Sequence, residues 1–160
     1  GMQYLVRQSL FSIGGSFTID DAYGTPVLWV RSAILSLGRK LDLMDASGAV
    51  IVRIQQRAVS VRHTYEISHN GQAICEVRKD LSNPFGSHFS VRGPGAEYDV
   101  RGDRSSWNYA ISVRNILVAT IGMPPSRGGS AFVVDMAPGQ NVPVILAIAI
   151  AIDEIGHAER

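Results

Sequence analysis

The sequence predicts a mainly β fold: about twelve strands curled into a closed barrel, with an apolar C-terminal segment fit to plug it. Three features carry this reading. Turn signals recur at Asp21-Ala-Tyr-Gly24, Asp45-Ala-Ser-Gly48, His69-Asn-Gly71 and Gly93-Pro-Gly95, with their glycines about 24 residues apart. Between the turns, apolar and polar residues alternate over short runs, the period of a half-buried strand. From Val142 to Ile152 there is no polar side chain.

Taken in order, the strands are expected at Tyr4–Val6, Ser16–Ile19, Val27–Arg31, Lys40–Met44, Ala49–Arg57 and His63–Ser68. They continue at Gln72–Lys79, Ser87–Arg92, Glu97–Arg101, Trp107–Val113, Ile116–Ile121 and Ser130–Val134. Arg114-Asn115 is a tight link between two of them. The stretch from Met123 to Gly129 reads as a loop, because its two prolines and two glycines oppose regular structure.

Alternation assigns faces. In the tenth strand Trp107, Tyr109, Ile111 and Val113 share one side; in the fifth, Val50, Val52 and Ile54 oppose Arg53, Gln55 and Arg57. A sheet with one dry face hides it, and loses its edges, by closing. About twelve strands leave a lumen too wide for strand side chains alone to fill. The Asn141–Ile155 segment suits that space. As a helix it has Asn141 for a cap, Pro143 in the first turn and Gly156 as a stop. The Ala-Ile alternation also fits a strand, and Asp153 and Glu154 sit at the unfavourable end of a helix dipole. Both conformations stay open on these residues.

Composition sets bounds. At 160 residues, 46% hydrophobic and 18% charged, residues 1–160 read as a single domain with a substantial core. Fifteen basic residues nearly balance fourteen acidic ones, so no bulk field recruits nucleic acid, and none is expected as a partner. The lone cysteine, Cys75, rules out an internal disulfide and suits the cytoplasm. The eleven-residue apolar run is well short of the roughly 20 residues of a membrane span. No signal peptide is expected, and Gly1 ahead of Met2 reads as a tag remnant.

The segments Phe17-Thr-Ile-Asp-Asp-Ala-Tyr-Gly24, Leu41-Asp-Leu-Met-Asp-Ala-Ser-Gly48, Ile54-Gln-Gln-Arg57, Ser60 and Thr64-Tyr-Glu-Ile67 resemble the LURP-one-related proteins. These group with the tubby C-terminal domains and the phospholipid scramblases. The resemblance lies in the order and spacing of these segments and extends to the closing Ala-Ile-Ala-Ile-Asp. It implies a tubby-like, twelve-stranded barrel around a central C-terminal helix. Tubby domains bind phosphoinositide head groups, and scramblases are membrane-associated and respond to calcium. No tubby phosphoinositide-binding residue finds a match here. Where scramblases are acidic, Val134–Asn141 holds one carboxylate, too few ligands for calcium.

The chemistry-bearing residues have plain structural readings. Cys75, expected on a dry face with Ala73 and Val77, reads as an inert core thiol. His63 could act as a base near Glu66, but alternation turns the two apart, and it reads as structural. The four histidines lack metal-ligand spacing, and Gly14-Gly15 and Gly128-Gly129 lack the lysine of a phosphate loop. Asp99 and Asp103 could pair as catalytic carboxylates, though the spacing is ordinary for an exposed strand. No enzyme activity, metal or cofactor is expected.

One feature resists this treatment. A three-residue loop at His69-Asn-Gly71 pairs Tyr65 with Cys75 and sets Arg62 opposite Arg78. A four-residue turn at Asp45–Gly48 pairs Leu41 with Val52 and sets Lys40 opposite Arg53. With Arg57 on the same face, these like-charge pairs read first as a solvated face neutralised by Asp42 and Glu76. The rival reading is an anion-binding stripe of Lys40, Arg53, Arg57, Arg62 and Arg78. The expected function is therefore a non-enzymatic binding domain for an anionic phospholipid head group or other phosphorylated ligand, cytoplasmic and peripheral at the membrane. The alternative is a protein-interaction or stress-adaptor domain with no small ligand.

Overall fold

The structure, a computed structural model, describes residues 1–7, 15–35, 38–57, 64–81, 87–103, 107–123 and 131–158. Among these residues twelve strands precede one helix. They are β1 (Met2–Arg7), β2 (Ser16–Asp21), β3 (Pro26–Leu35), β4 (Gly38–Met44), β5 (Val50–Gln56) and β6 (Thr64–His69). Then come β7 (Gln72–Asp80), β8 (Ser87–Arg92), β9 (Tyr98–Asp103), β10 (Asn108–Val113), β11 (Ile116–Gly122), β12 (Ala131–Met136) and the helix α1 (Val142–Ala158). Each expected strand overlaps an observed one, and β3 runs four residues past its expected end at Arg31. The sheet is a closed barrel in which each strand pairs antiparallel with its sequence neighbours and β1 closes on β12. Among the expectations that fall on other residues, Arg62, His63, Gly14, Gly128-Gly129 and most of the Met123–Gly129 loop lie outside the described residues.

Two hairpin registers differ from expectation, each by two residues. At β4–β5 the loop takes in Ala49, and a bulge follows between Leu43 and Met44's partners, so Leu41 faces Ile54 and Asp42 faces Arg53. At β6–β7 the turn is the two-residue Asn70-Gly71, with φ 51° and 83°, the left-handed pair that a type I′ turn demands. A bulge at Ile74 then sets Tyr65 opposite Val77 and Ile67 opposite Cys75. The bulge also turns Ala73 outward, away from the dry face expected for it. The bulge packs against Gly93, just past the end of β8, so closely that a Cβ there would run into the Ile74 carbonyl oxygen. Arg114-Asn115 makes another left-handed two-residue turn, φ 52° and 63°.

The apolar C-terminal segment is a helix. Asn141 caps it, its Oδ1 accepting from the Val144 amide at 3.4 Å. Gly156 does not stop it; the helix continues to Ala158 with Gly156 helical. From Val144 to Ile152 every side chain is 0–2% exposed. The helix packs against β5, β6 and β7, and its apolar circumference shares one core with their inward residues Val52, Ile54, Ile67 and Val77, all fully buried. Because every described tight turn joins an even strand to the next odd one, all of them lie at the end where α1 begins. The helix C-terminus lies at the opposite end.

Negative charge near the helix C-terminus is countered locally. Asp153 and Glu154 are 3% and 5% exposed, and Arg39 on β4 brings its Nε to 3.3 Å from Glu154 Oε2. A cation from the wall thus balances an acid at the helix end that disfavours it. Burial, and then the Glu154 charge, push the nearby Tyr65 hydroxyl upward in pKa, while Arg39 opposes this.

Candidate functional site: the charged outer wall

Alternation along β3–β7 puts Leu41, Leu43, Val52 and Ile54 in the core and their neighbours on the outer wall. Asp42 is one of these neighbours, yet its side chain is only 1% exposed. Three basic side chains cover it. Arg53, directly opposite on β5, donates from Nε to Oδ1 at 2.7 Å. Arg31, directly opposite on β3, donates from Nη2 to Oδ2 at 3.4 Å, and Lys40 Nζ stands 3.9 Å from the same oxygen. Burial alone would raise the Asp42 pKa; the hydrogen bond and charge of Arg53, then Lys40 and Arg31, outweigh it and hold the carboxyl below its usual range. The same hydrogen bond raises Arg53.

Lys40 and Arg53 therefore do not face each other: Lys40 faces Gln55, and Arg53 faces a carboxylate. The like-charge pairs of the expected stripe are absent from this hairpin because the longer loop and the bulge together slide β5 along by two residues. Arg31 belongs to the cluster instead. Its membership was hidden in the sequence because it depends on the β3–β4 register. Three cations converge on one carboxylate, leaving a local surplus of two positive charges. Arg31 and Arg53 remain 60% and 44% exposed, so their outer faces are open to a ligand.

Further along the wall the charges balance. Arg78 faces Thr64, not Arg62, and donates to Glu76 at 2.7 Å. Arg57 Nη1 lies 3.1 Å from both Glu66 and Glu76. Two arginines meet two glutamates here. Of the five stripe residues, the structure brings Lys40 and Arg53 together around Asp42 and joins Arg57 and Arg78 through Glu76; Arg62 is outside the described residues.

The other candidates fall away from one another. Cys75 is 4% exposed, and burial, then Glu76, push its thiol up to about 12. Asp99 accepts from Arg92 at 2.6 Å. Among the described residues no group of three or more His, Cys, Asp or Glu could hold a metal ion. Among the described residues no helix is long and apolar enough to cross a membrane.

Residues 2–153 match the LURP-one-related family. The chain belongs to that family. Among its relatives is an uncharacterised protein, YxjI of Bacillus subtilis (strain 168), 28% identical over 156 residues, covering 96% of this chain and 93% of YxjI. An X-ray structure of a protein from Arabidopsis thaliana shares the fold, with a TM-score of 0.70 at 15% identity, covering 96% of this chain and 90% of that one. The LURP-one-related barrel and its central helix thus extend over nearly the whole chain.

Proposed function

We propose that this LURP-one-related domain is a non-catalytic binding module that takes a phosphorylated anion on its outer wall. The Arg31, Lys40, Arg53 and Asp42 cluster supports this reading. Asp42 holds the three cations in place and neutralises only one of them. Arginine's planar fork grips phosphate oxygens through two bonds, and two such forks flank this point. A helix fills the lumen, so a ligand meets the protein from outside. The ligand class includes a phospholipid head group with clustered phosphates, and binding it would place the protein peripherally on a cytoplasmic membrane face. Arg57 and Arg78, already committed to Glu66 and Glu76, flank the site and contribute less.

Calorimetric titration with pyrophosphate tests this, beside flotation with vesicles of phosphatidic acid or of phosphatidylcholine alone. Expected are salt-sensitive heats with pyrophosphate and their loss in the Arg31→Gln/Arg53→Gln double variant. Flotation on phosphatidic acid alone would identify the lipid form of the ligand. No binding to either anion would return the wall to a solvated face and favour the protein-adaptor alternative.

A further inference from the structure

We propose that the barrel rim at the tight-turn end, across β2, β1, β12 and β11, docks a peptide segment of a partner protein bearing basic side chains among apolar ones. A closed barrel sends its large apolar residues inward, so a gathering of exposed ones calls for an explanation. Tyr23 is 94% exposed, Met2 54%, Ile116 65% and Leu117 55%. The strand order β3-β2-β1-β12-β11-β10 makes their turns and strand starts consecutive along one arc of the rim.

Two depressions lie within this arc. One of about 390 Å³ is lined by residues that include Leu117, Val118, Asp135, Ala137 and Pro138. Another of about 240 Å³ is lined by residues that include Tyr4, Leu5, Asp21 and Val133. Among the described residues each has a carboxylate in its wall and neither is lined by a Lys or Arg side chain; in the first, Asp135 shares the wall with the amino-terminal Gly1, while in the second Asp21 is the one charged side chain. Asp135 lies between Gln3 and Thr120 on the flanking strands, and Gln3 reaches it at 3.3 Å. Asp21 uses Oδ1 on its own turn, accepting from the Tyr23 and Thr25 amides. Arg114, at the tip of the β10–β11 hairpin, lines a depression on the β9 side with Glu97 and Asp99.

Apolar hollows walled by acids complement a partner with apolar and basic side chains. An anionic lipid surface would be repelled by the same acids. Every strand edge is already paired, so the partner cannot add a strand. Recognition here runs through side chains, which makes it specific to the partner's residue pattern. The surface is separate from the Asp42 cluster and does not depend on it.

Amide NMR spectra of the full chain test this during titration with a Leu/Arg alternating octapeptide and its Leu/Glu counterpart. Shifts confined to Met2, Gln3, Leu117, Thr120, Asp135 and their neighbours with the Leu/Arg peptide are expected. Leu117→Ser, at an exposed position, and Asp135→Asn, at a half-buried one that keeps an oxygen for Gln3, should each weaken that binding roughly fivefold or more at unchanged melting temperature. Equal binding of the Leu/Glu peptide, shifts that lie elsewhere, or no shifts at all would overturn the proposal. So would rim shifts that grow with protein concentration alone, marking a second copy, or that follow anionic vesicles instead of peptide.

Discussion

Glu66 and Glu76 stand directly opposite each other across β6 and β7, and a single arginine, Arg57, reaches both at 3.1 Å. Like charges in this position repel. Arg57 thus acts as a clip between strands, with Arg78 holding Glu76 from its other side.

Arg57→Gln should destabilise the barrel by roughly 0.2–1 kcal/mol, the range for exposed pairs, because all three partners are partly open to water. Adding Glu66→Gln should recover much of the loss. Chemical denaturation of both variants checks this. Equal stability of wild type and Arg57→Gln would show that the clip carries no weight.

Ile148 lies mid-helix and is fully buried in the lumen. Ile148→Ala should cost about 2–5 kcal/mol through lost transfer energy and a cavity. Ile148→Asp should prevent folding, because an unpaired charge would be buried. Circular dichroism melts of the two variants give the answer; a cooperative, near-native melt for Ile148→Asp would show the helix is not a core element.

Cys75 should react with a thiol reagent only as fast as the barrel opens. Its thiol is held up to about 12 and is 4% exposed. Labelling should be slow in buffer and fast in denaturant. Rapid stoichiometric labelling of folded protein would contradict its place in the core.

The strands and their faces were legible because they are written locally. Gly24, Gly48 and Gly71 mark turns, and alternation such as Val52, Ile54 against Arg53, Gln55 marks faces. The helix was legible only as an apolar segment; its conformation follows from what surrounds it. The charged wall was legible in its residues and misread in its pairs. A one-residue change in turn length and a one-residue bulge, opposite Met44 in one hairpin and at Ile74 in the other, together slide each strand by two residues. Beyond each bulge a shift of two keeps a side chain on its face and changes its neighbour, while Val50 and Ala73, on the turn side of the bulges, end up exposed. That single fact turned Lys40 opposite Arg53 into Asp42 opposite Arg53. The bulge at Ile74 lies against Gly93, just past β8, where a Cβ would not fit, and no local window contains that contact. Arg39 meeting Glu154 is likewise a contact between wall and plug, more than a hundred residues apart.

Asp42 carries the account of function, and it ties stability to pH. Its folded pKa is lowered from 3.8, so its contribution is present above about pH 4 and fades as the pH falls through the lower folded value. Asp42→Asn should remove that part of the acid transition and cost about 1–3 kcal/mol at neutral pH.

The decisive measurement is the melting temperature of wild type and Asp42→Asn, each with and without pyrophosphate at low salt. The variant leaves Arg31, Lys40 and Arg53 with no carboxylate among them. It should melt lower than wild type in buffer alone, and pyrophosphate should raise its melting temperature by more than it raises that of wild type. If pyrophosphate raises neither, the three cations serve only to cover Asp42, and the outer wall is not an anion site.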